Sequence, residues 1–139
     1  FYLKQHLHEG EEVYCAPGHE SGLINVNSTR IALAVCADFT HTSHAATAAA
    51  QQADVYLASA LISPGGYATD AELLATIAKR HQQPVVLANH VSTTGGWQTC
   101  GNSGGWNAAG ELMVSAHGTQ PSLVLCRIYN GVLSGRVHV

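Results

Sequence analysis

The residue best placed to do chemistry in this sequence is Cys36, near the end of an apolar run within RIALAVCADFTH, residues 30 to 41. The run is typical of a buried strand, and the residues after it predict a turn into a helix. A cysteine inside a strand is ordinary packing, whereas one at the exit of a strand can present its sulfur at the turn. N–H groups at the start of the helix would favour the thiolate and could donate to an oxyanion. Position alone leaves two interpretations equally open for Cys36, a nucleophile and a buried thiol.

The other reactive residue types carry weaker signals. A lone lysine such as Lys4 is normally a solvated charge, and histidines at strand ends, here His41 and His90, could act as bases for a thiol. The histidines do not have the spacing of a zinc site, so we predict no metal. Asp38 is expected to cap a turn rather than to catalyse. The remaining candidates are interpreted as a solvated acidic loop (Glu9, Glu11 and Glu12), unreactive thiols (Cys15, Cys100 and Cys126) and packing aromatics (Trp97 and Trp106).

Length and composition limit the class of protein. The chain has 139 residues, 46% hydrophobic and 11% charged, which suits one compact unit. The formal net charge of -3 and the scattered basic residues argue against a nucleic-acid partner. We find no apolar stretch long enough to cross a bilayer and no signal-peptide pattern at the start, and four widely spaced cysteines are typical of reduced thiols. These features predict a cytoplasmic protein without a membrane partner.

The order of the elements follows from periodicity and turn residues. An alternation of strand and helix occupies the first two thirds of the chain, and turns with alternating strands follow from Gly95. Thr42 or Ser43 would cap the first helix, and Thr69 or Asp70 the second. The predicted helices span residues 42–53 and 69–81, and the predicted strands span 22–27, 30–37, 54–62, 84–90, 103–108, 110–116, 122–130 and 132–139.

This order predicts an α/β fold whose sheet has a parallel centre and an antiparallel edge, with helices covering one face. Apolar residues in IALAV and PVVLA occur on both faces of their strands. We therefore expect the second face of the sheet to be covered as well, by another sheet or another chain.

Several segments together resemble the carbon-nitrogen hydrolase, or nitrilase, superfamily. YLKQHLHEGEEVYCAPG is similar to the lysine segment of that family, in which a Tyr-x-Lys-x-x-Leu strand precedes a glutamate and a Pro-Gly turn. IALAVCAD resembles its cysteine segment, and VVLANH and SGGWNAAGELMVSA match its later elements. The resemblance covers essentially the whole chain, with the lysine and cysteine segments in the order of the family.

The resemblance implies a role for each of four residues. Cys36 would be the nucleophile that attacks an amide or nitrile carbon, and Lys4 would stabilise the oxyanion together with the backbone N–H of Ala37. Glu11, just before the Tyr14–Gly18 turn, would orient the lysine, with Glu12 as the adjacent alternative. A thiolate and a cation in one pocket stabilise each other, which agrees with these roles.

The resemblance also implies that part of the fold lies outside these 139 residues. The family fold is a four-layered α-β-β-α sandwich of two similar halves, and this sequence resembles the second half only. No glutamate here matches the general base of the family, which precedes the lysine segment. We therefore interpret residues 1–139 as a single partial domain lacking the N-terminal half, from a longer protein or a truncated gene.

The function implied is a thiol-dependent hydrolase of a small amide or a nitrile, without a cofactor. We also consider a catalytically impaired fragment that serves as a binding or assembly module, and a redox-sensing thiol. The resemblance predicts a homodimer or larger assembly through the two helices. The substrate pocket would be lined from strand ends by Ser59, Ala60, Leu61, Asn89 and His90.

Overall fold

The computed structural model describes all residues from Phe1 to Val139. Two short 3₁₀ turns, Glu11–Val13 and Cys36–Thr40, accompany two helices and eight strands. The helices are α1 (Thr42–Ala50) and α2 (Tyr67–His81). The strands are β1 (Leu23–Val26), β2 (Thr29–Val35), β3 (Val55–Ala60), β4 (Val85–Asn89), β5 (Gly104–Trp106), β6 (Leu112–Ser115), β7 (Leu123–Tyr129) and β8 (Val132–His138).

The first six strands form one mixed sheet in chain order, and β7 pairs with β8 in a separate antiparallel hairpin. Strands β2, β3 and β4 are parallel, while β1, β5 and β6 join them antiparallel at the two sides. The predicted α/β class, with a parallel centre and antiparallel hairpins at the end, is therefore confirmed. Parallel pairing brings the carboxyl ends of β2, β3 and β4 to the same edge of the sheet.

Both helices pack on one face of this sheet. Alternate residues of β2 and β3, such as Ala34 and Ala58, face the helices and are almost fully buried, with small side chains that let the helices approach closely. Leu74 and Ile77 of α2 fill the space between helix and sheet. This alternation places the odd-numbered residues of β2 on the opposite face.

The opposite face is apolar and incompletely covered. Leu33, Leu57 and Val86 lie side by side on it and are each partly exposed. The β7–β8 hairpin covers only part of the face and leaves a groove of about 440 Å³. Its apolar lining residues are Val26, Ile31, Val55, Leu57, Val86, Cys126 and Ile128.

The helix boundaries differ from those predicted. Helix α1 stops at Ala50, because Gln52 adopts a left-handed conformation (φ 59°) that ends the helical turn, and its N-cap is His41. Helix α2 begins at Tyr67 after a Gly66 N-cap, ahead of the expected Thr69 or Asp70. The carbonyl and hydroxyl oxygens of Ser63 accept the N–H of Gly66, so the Ser63–Gly66 turn leads directly into the helix.

The lysine segment is not the strand that the family resemblance implies. Residues 1–10 form no ladder, and the main-chain N–H groups of Gln5 and His6 are bound by the side chain of Asp38. Gly18 donates its N–H to the carbonyl of Lys4 and lies so close that a Cβ there would stand 2.5 Å from the carbonyl oxygen of Leu3. The segment is therefore held by side-chain and loop contacts rather than by a neighbouring strand.

Neither helix has the length and apolar character required to cross a membrane.

Candidate active site

The Cys36 turn lies at the carboxyl edge of the parallel strands. Strand β2 ends at Val35, and Cys36 opens the 3₁₀ turn that leads toward α1. Cys36 is partly exposed and has a φ of 50°, in the left-handed region that non-glycine residues seldom adopt. Such a conformation costs on the order of 1–3 kcal/mol and is found preferentially at functional sites. The backbone thus identifies Cys36 as unusual among the four cysteines.

Lys4 and Glu11 are brought together within the lysine segment, which folds back on itself between them. The Lys4 ammonium donates to Oε2 of Glu11, and the same oxygen accepts the N–H of His8 at 2.7 Å. Hydrogen bonds from Lys4 and then from His8 lower the pKa of Glu11 and keep it ionised. Glu12 does not contact Lys4 but accepts the N–H of Gly10 at 2.8 Å. Of the two adjacent glutamates, Glu11 is therefore the one that binds the lysine.

The carboxylate of Asp38 is fully buried and carries an unusual number of hydrogen bonds. Its Oδ1 accepts the main-chain N–H of Gln5 at 2.9 Å and of His6 at 2.8 Å. Its Oδ2 accepts the Tyr2 hydroxyl at 2.6 Å and the N–H of Val35 at 2.9 Å. The expected turn cap is present in the bond to Val35, but the same carboxylate also binds the lysine segment. The Nδ1 atom of His6 also lies 3.3 Å from Oδ1, so the carboxylate is surrounded on both oxygens by groups that can donate to it.

A directional chain of hydrogen bonds leads from Asp38 into the core. Because Tyr2 donates to Asp38, the Nε2–H of His44 must donate to the Tyr2 oxygen, 2.9 Å away. Neutral His44 then accepts the Tyr56 hydroxyl at Nδ1, at 2.8 Å. Burial is the main cause that lowers the pKa of His44, which agrees with a neutral ring. The chain therefore orders Tyr56, His44 and Tyr2 behind the Asp38 carboxylate.

The ionised state of Asp38 should make the unfolding free energy of the protein depend on pH in the acid range. Burial raises the pKa of its carboxyl, but hydrogen bonds from Tyr2, Val35 and His6 outweigh burial and the net pKa is lowered. A depressed folded pKa contributes stability that is complete above the unfolded value of about 4 and is lost as the pH falls through the folded pKa. We expect the difference in unfolding free energy between the parent and Asp38→Asn, measured by urea titration, to narrow as the pH falls below about 4.

Asp70 provides a control, because its substitution should change the pH dependence of the unfolding free energy in the opposite direction. Burial raises the pKa of Asp70, so its ionisation opposes folding and the parent should lose stability relative to Asp70→Asn as the pH rises through the range of carboxyl titration. A difference between the parent and Asp38→Asn that stays constant down to about pH 2.5 would contradict the assignment of Asp38 as an ionised acceptor.

Of the five predicted pocket residues at the strand ends, three are exposed to solvent and two are buried. Ser59 of β3 is exposed and pairs in register with Val35 of β2, the residue directly before Cys36. Leu61 and His90 are also exposed near this edge, whereas Ala60 is buried. Asn89 is buried with both side-chain atoms engaged: Oδ1 accepts the N–H of Ile62 and Nδ2 donates to the carbonyl of Gly101. The side chain of Asn89 therefore holds two loops together, and Ser59, Leu61 and His90 are the accessible members of the set.

The other cysteines and the tryptophans have varied surroundings. Cys100 is buried, Cys126 lines the apolar groove, and burial raises the pKa of both thiols. Cys15 is exposed.

Trp106 packs in the core, but the expectation of packing is wrong for Trp97, which is 67% exposed on a glycine-rich turn. No group of three or more histidine, cysteine, aspartate or glutamate side chains is arranged to hold a metal ion.

Sequence reasoning missed the network that joins these segments. Gln5 and His6 follow Lys4 directly, and Val35 precedes Cys36 directly, so one carboxylate holds the main chain next to both predicted catalytic residues. The available signal was an acidic residue two positions after the cysteine in an otherwise apolar stretch. It could indicate a cap but not the second segment that the cap binds.

Comparison with known proteins gives a consistent fold. No family model and no curated protein sequence matches this chain. Among solved structures, the chain is similar to the nitrilase-superfamily amidase from Nesterenkonia sp. AN1, solved as a cysteine mutant in complex with butyramide, with a TM-score of 0.79 and 23% identity over 86% of this chain and 46% of the amidase. A glutamate mutant of that amidase, with 24% identity and a TM-score of 0.79 over the same shares of the two chains, carries the acetamide moiety of fluoroacetamide on its active-site cysteine.

A second similar structure is the glutamine-dependent NAD+ synthetase from Acinetobacter baumannii, with a TM-score of 0.87 and 18% identity over 96% of this chain and 27% of the synthetase. The chain thus spans less than half the length of these two proteins. At these identities the likeness establishes the fold alone: the chain shares the fold of the matched part of the amidase and of the synthetase.

Proposed function

We propose that this chain carries the nucleophile and the oxyanion-stabilising lysine of a thiol-dependent hydrolase of non-peptide C–N bonds. The observation that carries the proposal is the strained, partly exposed Cys36 at the carboxyl edge of the sheet, in a fold shared with amidases. The substrate would be a small amide or a nitrile, and the intermediate a covalent acyl-enzyme at Cys36.

The reaction assigns one task to each group. The Cys36 thiolate forms an Sγ–C bond with the substrate carbon, and the C=O electron pair moves onto oxygen. The ammonium of Lys4 and the N–H of Ala37 stabilise that oxyanion, and stabilisation of this kind usually contributes most to the catalysis of acyl transfer. Collapse restores the C=O and breaks the C–N bond, and the nitrogen leaves as ammonia or an amine after taking up the proton that the Cys36 thiol gave to the general base. Water then attacks the thioester, forms the acid and returns the thiol.

Glu11 would act through Lys4 rather than on the substrate. Its hydrogen bonds from Lys4 and His8 hold the lysine in one orientation, and side-chain order of this kind reduces the entropy lost in the transition state. Proton transfer requires a further base, which the family resemblance assigns to a glutamate outside residues 1–139.

The exposed apolar face of the sheet is an argument that another layer of the protein packs on it. We propose that a further part of the protein, comparable to the half of the amidase that this chain does not match, packs over the groove lined by Leu57 and Val86. Contiguous exposed apolar surface of this kind marks an interaction site. It equally favours the second candidate function, a binding or assembly module without turnover.

An experiment with small amides separates the two functions. We expect the complete protein to release ammonia from butyramide or a similar aliphatic amide, and fluoroacetamide to add its acetamide moiety to Cys36 with loss of fluoride. Peptide mapping by mass spectrometry should find the adduct on Cys36 in excess over the exposed Cys15. Absence of ammonia release, together with no preference for Cys36, would favour the binding module.

A further inference from the structure

We propose that Asp38 is the positioning residue of the active site, holding the Lys4 segment and the Cys36 turn in register with one buried carboxylate. The inference rests on the proposed function, because it concerns the geometry of the same two groups. Asp38 does not touch the substrate in this role and acts through the main chain on either side of it.

The position of the segment that carries Lys4 depends on the Oδ1 atom of Asp38. Residues 1–10 belong to no sheet, so their position relative to the core relies on a small number of contacts. Oδ1 accepts the N–H groups of Gln5 and His6, the two residues directly after Lys4. The carbonyl of Lys4 is bound by the N–H of Gly18, which places anchors on both sides of the lysine.

The position of the turn that carries Cys36 depends on the Oδ2 atom of Asp38. This oxygen accepts the N–H of Val35, the residue directly before Cys36, and so closes the 3₁₀ turn from inside. The left-handed conformation of Cys36 is costly, and such a conformation persists only where neighbouring contacts enforce it. Asp38, two residues away and fully buried, is the acceptor that holds the strand end in that turn.

Asparagine cannot replace this carboxylate, although it has nearly the same shape. A carboxylate accepts at both oxygens, whereas an amide presents one acceptor and one donor. In Asp38→Asn the amide nitrogen would therefore face either the N–H groups of Gln5 and His6 or that of Val35, and one of the two segments would lose its anchor. A displacement of about 1 Å between reacting groups can cost on the order of 100-fold in rate.

The test measures the reactivity of Cys36 inside the complete protein. Iodoacetamide alkylates each thiolate with loss of iodide, and the exposed Cys15 of the same molecule serves as the internal reference. In Asp38→Asn we expect the Cys36 rate, relative to Cys15, to fall about 10-fold or more, and kcat for a small amide to fall with little change in KM. A general loss of structure would raise the exposure of Cys36 and would not give this pattern.

Asp54→Asn is the matched control. Asp54 accepts the N–H of Arg30 at 2.7 Å near the start of β2, the strand whose other end Asp38 caps. This variant removes a comparable backbone contact from the far end of the strand, so the alkylation ratio should stay at the parent value.

Each outcome decides between the proposals. An unchanged alkylation ratio in a folded Asp38→Asn protein would overturn the positioning role. If that variant does not fold, Tyr2→Phe replaces it: this change removes one donor to Oδ2 and should slow Cys36 about 3-fold by the same loss of alignment, and an unchanged rate would overturn the role. If Cys36 of the parent reacts no faster than Cys15, the proposed nucleophile itself is wrong and both proposals fall together.

Discussion

Replacing Cys36 with alanine is expected to reduce amide hydrolysis to background, a loss of about 10⁴-fold or more, because no other group can form the acyl-enzyme. Alanine is slightly smaller than cysteine and can adopt the same backbone at similar cost, so the fold should be retained. The measurement is ammonia release from butyramide under saturating conditions, with circular dichroism and thermal unfolding as checks on structure.

The control for this variant is Cys15→Ala. Cys15 belongs to the lysine segment, but its side chain is exposed and it is held there by its main-chain N–H, which donates to the carbonyl of Glu11, so its removal should leave turnover unchanged. Full activity in Cys36→Ala would show that Cys36 is not the nucleophile. Loss of activity in both variants would mean instead that the substitutions act through stability.

Lys4→Gln is expected to lower kcat/KM by about 100- to 1000-fold, the range measured when one oxyanion donor is removed. Glutamine keeps a hydrogen-bond donor but loses the positive charge that meets the developing negative charge. Stability should change little, because Glu11 is 43% exposed at its side chain and can be solvated when its partner is lost. The effect should therefore appear in turnover and not in unfolding.

Two further variants test the origin of the Lys4 effect. Lys79→Gln removes an exposed lysine from α2 and should leave kcat/KM unchanged. Lys4→Arg keeps the charge but replaces a compact ammonium with a planar guanidinium, so it should not restore activity. A decrease of less than about threefold in Lys4→Gln would be inconsistent with an oxyanion role.

Local chemistry in the sequence was sufficient to predict the order of the elements and the place of the cysteine. The apolar run before Cys36 and the helical stripe containing Leu74 and Ile77 each depend on residues close in the chain. The apolar character of the sheet face on which Leu57 and Val86 lie was likewise indicated by apolar residues on both faces of the central strands. Periodicity carries this information because neighbouring side chains on one strand or helix share a face.

The lysine segment shows where local information ends. Tyr2, Lys4 and Leu7 lie in a stretch that was expected to be a strand, yet the segment pairs with no strand and is anchored by the remote Asp38. The amide of Asn89, one of the predicted pocket residues, binds the main chain of two distant loops. In both cases the partner of the hydrogen bond is remote in sequence, so no spacing rule could indicate it.

The sequence by itself therefore determined which residue types could do chemistry and, for the cysteine, on which element it lies. The tertiary structure decided which of them meet: Glu11 rather than Glu12 binds Lys4, and one buried carboxylate, Asp38, joins the lysine segment to the cysteine turn. The physical reason is that propensity and periodicity act over a few residues, whereas the pairing of buried polar groups is settled only when distant segments are packed together and each donor must find an acceptor.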